Sequence, residues 1–143
     1  MVESPDPTVV RSVAVHADDV VAAVEARRRS DRRTVLRLTP PFSARMRARI
    51  HVAEDGEYRG VDPEPVHLDP ESFLAADAPA YPEPAETGDR LRAADEPYTV
   101  ERHRERHEAA VEAWRDRVRG AIADAVEFDT PEGPHRVGVT VLG

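Results

Sequence analysis

From Thr99 to Val126 the apolar and ring-bearing positions are Val100, His103, His107, Val111, Trp114, Val118, Ile122 and Val126. They recur at steps of three and four residues, which keeps one stripe on one face of a helix. This is the longest periodic stretch of the chain. Its oppositely charged and like-charged neighbours at helical spacing nearly balance, so the helix must be held by packing of the Val111, Trp114, Val118 and Ile122 stripe, expected against a sheet.

Elsewhere the period is two, or the stretches are short. Thr8 to His16 is rich in β-branched residues and predicts a strand. Ala17, Val20, Val21 and Val24 then predict an amphipathic helix to about Arg28, opened by Asp18 and Asp19 and closed by arginines, each sign suited to its end of the dipole. A second strand is expected at Arg33–Thr39, a break at Pro40–Pro41 and a third strand at Ser43–Val52. The third has the cleanest alternation, Met46, Ala48, Ile50 and Val52 on one face and Arg45, Arg47, Arg49 and His51 on the other. Glu54–Glu57 reads as a turn around Gly56, and Pro65–Leu68 as an edge strand. Asp69 and Pro70 open a short helix to about Ala76. Residues 77–97 read as a proline-rich loop with one or two helical turns near Asp89–Ala94. Glu127–Thr130 and His135–Leu142 flank Pro131–Pro134 as a closing hairpin.

The order predicts a single α+β domain over residues 1–143, with residues 1–7 a frayed terminus. About five or six strands form a mixed or largely antiparallel sheet, packed by the long helix and by the shorter N-terminal one.

Composition narrows the chemistry. Cysteine is absent from the 143 residues, which excludes disulfides, thiolate zinc sites and cysteine nucleophiles. All 20 basic residues are arginine, against 28 acids, for a formal net charge of −8. Such a balance keeps a small protein soluble and matches the composition of extreme halophiles; a high-GC genome also exchanges lysine for arginine. No apolar run is long enough for a membrane span and the N-terminus lacks a signal pattern, so a cytoplasmic protein is expected. The charge is blocked along the chain: residues 26–53 hold nine arginines and one acid, residues 54–96 thirteen acids and three arginines.

Two candidate sites follow. The face of Arg45, Arg47, Arg49 and His51, joined across the hairpin by Arg37, is a strip of positive charge able to grip phosphates or carboxylates. In concentrated salt, where the Debye length falls to about 3 Å, it would act by direct bidentate contacts. Against this, the acidic segment that follows can fold over the strip and neutralise it. The second candidate is His103 and His107, spaced four residues apart so that both rings reach one divalent metal. Glu105 lies between them and points away, so this is not the zincin motif. A third ligand must come from His16, His51, His67, His135 or a carboxylate; otherwise both rings cover the core. Phosphate loops, nucleophile elbows and dinucleotide fingerprints are absent.

Taken together, VHADDVVAAVE (15–25), LRLTPPFSARMRARIHV (36–52), YPEP (81–84) and YTVERHRERHEAAVEAWRDRV (98–118) resemble a family of small haloarchaeal proteins with a domain of unknown function. The resemblance covers nearly the whole chain and implies no activity and no site residues. The leading functional reading is therefore a non-enzymatic cytosolic binding protein whose Arg37, Arg45, Arg47, Arg49 and His51 face engages an acidic protein or nucleic acid. A histidine-centred metal-binding protein or metal-dependent enzyme, at His103 and His107, and a structural homo-oligomer are the alternatives.

Overall fold

The computed structural model describes residues 3–143. Of the terminus expected to fray, residues 1 and 2 lie outside the described residues, while Ser4 exchanges two backbone hydrogen bonds of 2.7 Å with Phe42. The fold is α+β, with mixed and antiparallel pairing. The chain divides into two compact units, Met1–Ala76 with Ile122–Gly143, and Asp77–Ala121.

The first unit holds β1 (Ser12–His16), α1 (Ala17–Arg29), β2 (Arg33–Leu38), β3 (Arg45–Arg47), β4 (Arg49–Ala53), β5 (Val66–Leu68), β6 (Ala125–Thr130) and β7 (Gly133–Leu142). Its strands form two sheets, ordered β3-β1-β7-β6 and β4-β2-β5. In the first, β1 runs parallel to β3 and β7, and β6 closes antiparallel on β7. The second is antiparallel throughout. α1 packs on β1, β2 and β4 and so serves both sheets, burying Ala17, Val20, Val21, Ala23 and Val24 as its period requires.

The third strand does not run unbroken from Ser43 to Val52. At the fully buried Ala48 the backbone N–H donates to the Ala14 carbonyl at 2.9 Å. On one side of that residue β3 joins β1, and on the other β4 joins β2. Alternation alone does not reveal that one strand changes partners. Because β4 is also an edge, Ile50 and Val52 stay 42% and 40% exposed rather than covering the core.

Arginines of the basic block meet the acids that follow. Arg27 pairs with Asp69 and Arg28 with Glu71, each at 3.0 Å, and Arg33 with Asp55 at 3.4 Å. All three pairs reach solvent, although Arg27 is half-buried, and are worth roughly 0–1 kcal/mol each. Asp69 caps as expected, accepting from the Glu71 N–H at 2.9 Å, but what it starts is a 3-10 turn, Pro70–Phe73. Phe73 is fully buried there, and its carbonyl accepts from the Ala123 N–H at 2.7 Å.

The second unit contains α2 (Pro84–Ala93) and α3 (Val100–Arg119), packed on each other. α2 occupies much of the stretch read as a proline-rich loop; Pro84 stands in its first turn, where no N–H is needed. α3 is shorter than its periodicity suggests. Thr99 caps it, accepting from the Arg102 N–H at 3.1 Å, and it closes at Gly120, whose N–H donates to the Arg117 carbonyl while the Ala121 N–H donates to the Val118 carbonyl. Beyond that point Ile122 bridges to Leu74 and Val126 lies in β6. A three-or-four step continued by chance into an alternating strand, and the glycine decides where the helix ends. Val111, Trp114 and Val118 of the expected stripe are buried. The Trp114 indole N–H donates to the Pro79 carbonyl at 3.0 Å, and Tyr81 packs edge-on against its ring at 4.8 Å.

Candidate metal centre

The three-stranded sheet sets out the site. Residues paired directly across antiparallel strands share a face. Val35 pairs with His51, and Arg37 pairs with Arg49 on one side and His67 on the other. Arg37, Arg49, His51 and His67 therefore stand on one face, on three different strands. Between β4 and β5 the chain turns twice, with Gly56 at a φ of 72° and Gly60 at 77°, a backbone that residues with a Cβ rarely adopt. The turns carry Glu57 and Tyr58 back to the two histidines.

The result is a half-buried cluster of donors. His51 Nε2 lies 3.0 and 3.1 Å from the two Glu57 carboxylate oxygens. His67 Nε2 is 3.8 Å from Glu57 Oε1 and 2.8 Å from the Tyr58 hydroxyl, which is itself 3.5 Å from His51 Nε2. Arg37 Nη1 reaches the Tyr58 oxygen at 3.3 Å and His51 Nε2 at 3.4 Å. The His51, Glu57 and His67 side chains are 20%, 18% and 25% exposed, shielded yet reachable. One ligand atom from each lies within 4.8 Å of the other two, the single such trio of imidazole and carboxylate groups among the described residues.

Around His51 Nε2 the hydrogen-bond needs conflict. If that nitrogen carries the proton it donates to Glu57, and the Arg37 N–H finds no acceptor there. If it is bare it accepts from Arg37 but faces the carboxylate lone pair to lone pair. A cation among Nε2, Nε2 and Oε1 would use all three lone pairs at once. Ligands about 2.0–2.2 Å from a zinc-like ion stand about 3.3–3.6 Å from one another in a tetrahedron, close to the 3.0 and 3.8 Å separations from Glu57 Oε1. Two imidazoles and one carboxylate suit a borderline divalent ion and leave coordination positions open. The His51 hydrogen bond, first among several causes, holds the Glu57 carboxyl below the usual carboxylate range. Burial, chiefly, holds the His67 imidazole below the ordinary histidine range; Glu57 opposes this, while His51, Arg37 and Arg33 add to it. Both groups thus favour the forms that bind metal.

The sequence-derived candidates are distributed unevenly. Arg37, Arg49 and His51 do share a face, whereas Arg45 and Arg47 stand on β3 in the other sheet, so the five residues do not lie on one sheet. Arg45, Arg47 and Arg49 are exposed, and none forms an ion pair among the described residues. The acidic segment neutralises Arg27, Arg28 and Arg33 but not these.

In the second unit the His103 and His107 ring centroids are 6.4 Å apart. His103 Nε2 bonds the Pro84 carbonyl at 2.7 Å and Nδ1 the Tyr98 hydroxyl at 3.1 Å. His107 Nδ1 meets Thr87 Oγ1 at 3.0 Å. The bonds to Pro84 and Thr87 tie α3 to α2, and with the Tyr98 contact three of the four ring nitrogens are occupied.

Glu57 and Tyr58 escaped the sequence reading as members of a site, and His67 entered it only as one of several possible third ligands for the helical pair. The clue was modest: an edge strand at Pro65–Leu68 and a turn at Gly56 were both legible, and together they bring His67 beside Arg37. Fold and site thus define an α+β protein carrying a two-histidine, one-carboxylate cluster on an antiparallel sheet. The chain belongs to the family described as Domain of unknown function (DUF8009), whose model matches residues 1–143. Comparisons with curated proteins and with solved structures give no match.

Proposed function

We propose that the protein binds a divalent transition metal through His51, Glu57 and His67. One observation carries this reading: three ligand atoms of the right chemistry converge, half-buried, with both Glu57 oxygens set against a single imidazole nitrogen. The metal reading thus moves from the helical histidines to the sheet, where it meets part of the arginine face. A second reading is favoured by the exposed, unpaired Arg45, Arg47 and Arg49, which suit an acidic protein or nucleic acid as partner. The composition supports work in the saline cytoplasm of a haloarchaeon. In keeping with that, no helix among the described residues is long and apolar enough to cross a membrane.

The test is zinc titration of the purified protein with a competing chelator. Wild type is expected to take up one ion, and saturation at a hundred times Kd adds about 2.7 kcal/mol to stability. His51→Ala and His67→Ala should each weaken zinc binding at least about 100-fold, whereas a His103→Ala/His107→Ala protein should bind as wild type does. Equal affinity in wild type and a folded His51→Ala/His67→Ala double variant would sink the proposal.

A further inference from the structure

The cluster contains a charge that the metal reading leaves unexplained. Arg37 is half-buried and forms no ion pair among the described residues. Its Nη1 faces a ring nitrogen and a phenol oxygen, and its Nε is buried with no hydrogen-bond partner. A guanidinium cannot shed its charge in a protein, and an unsatisfied buried donor calls for an acceptor. Beside a divalent ion it would also repel. The ion, the Glu57 carboxylate and the Arg37 guanidinium together amount to a net charge of about +2, since only one anion is present. Arg49 stands directly opposite Arg37, and Arg33 lies four residues earlier on the same face of the same strand.

We propose that an oxyanion of the phosphate class completes this site, one oxygen on the metal and others on Arg37. The inference rests on the metal reading above. A phosphate group near neutral pH carries close to two negative charges, which cancels the excess, whereas a carboxylate cancels half of it. Its several oxygens can serve a metal and a planar guanidinium fork at the same time. Neighbouring Arg49 favours the dianion further. Free phosphate and a phosphate monoester present the same chemistry, and the monoester adds a substituent that the exposed β4 edge leaves room for.

Cobalt(II) is the probe, because its visible d–d bands respond to a change of inner-sphere ligand. The full chain, loaded with cobalt, is titrated with inorganic phosphate, with phenyl phosphate and, in parallel, with acetate. Phosphate is expected to change the bands and to saturate, at concentrations at least 10-fold below those acetate needs. By linkage, phosphate should tighten cobalt binding by the same factor by which cobalt tightens phosphate binding. Arg37→Gln should keep or improve cobalt affinity, since a repelling charge is gone, while weakening phosphate at least 10-fold. Arg37→Lys keeps the charge without the fork and should fall between the two. Phenyl phosphate binding as well as phosphate points to a monoester, and phosphate alone binding points to the free ion; either supports the site. The proposal is overturned if cobalt-loaded wild type ignores both phosphates. Equal phosphate binding by folded Arg37→Gln, or by metal-free wild type, overturns it as well. Failure to bind cobalt at all would instead strike the metal reading on which it stands.

Discussion

Replacing Trp114 with alanine is expected to remove about 3–5 kcal/mol of stability from the unit that contains α2 and α3, the usual range for truncating a buried indole. Trp114 is 3% exposed in a unit of only 45 residues, Asp77–Ala121, a size at which few buried side chains share the whole load. The indole does two jobs there. Its N–H satisfies the Pro79 carbonyl, and its ring receives the edge of Tyr81, which adds about 0.5–1.5 kcal/mol beyond area burial. Trp114→Phe keeps a ring but orphans that carbonyl, and should cost about 1–3 kcal/mol. Hydrogen exchange along residues 100–119, rather than fluorescence, must be read, because this is the one tryptophan of the chain. Unchanged protection in Trp114→Ala would show that the ring does not hold the segment before α2.

Phe73→Ala should be as damaging in the other unit, again by about 3–5 kcal/mol. Phe73 lies at the end of the 3-10 turn with no exposed surface. That turn packs on α1, on β2 of the three-stranded sheet and on β6 of the four-stranded one. Its loss opens a cavity where both sheets and the helix meet, so the deficit should appear as one cooperative drop in chemical denaturation. Phe73→Leu, which fills most of the volume, should cost less than about 1.5 kcal/mol. A loss below about 1 kcal/mol for the alanine variant would mean that the sheets are joined elsewhere.

The contrast between these two positions shows what the sequence can disclose. Trp114 announces itself, because it stands on a helical stripe whose neighbours repeat every three or four residues. Phe73 follows a correctly read cap at Asp69, yet nothing in its surroundings says that two sheets converge on it. The strands themselves were largely legible from β-branched runs, and so was α1 from its spaced valines. What periodicity could not express was partner choice. Ala48 divides one alternating stretch between two sheets, and Ile122 and Val126 continue the spacing of α3 after Gly120 has ended it. The histidine–carboxylate cluster failed to emerge for the same reason. His51 was visible as part of a face, but His67 joins it only through the register of β5 on β2, fixed across a loop whose length obscures the pairing. Local signals specify elements, and long-range registers specify sites.

The loop that hides the site also determines what a bound ion would do to the chain. His51 and His67 bracket the segment between β4 and β5, and Glu57 lies inside it. An ion held by all three is a removable cross-link. Closing a loop of about 15 residues lowers the entropy of the unfolded chain by an amount worth about 3 kcal/mol in the simplest treatment. The exposed Arg59 sits within that loop. Trypsin should therefore cut after Arg59 readily in chelator and much more slowly in zinc, and the His67→Ala protein should be cut alike in both. Metal supply would then set how long each molecule survives, making the site a determinant of turnover as well as of binding.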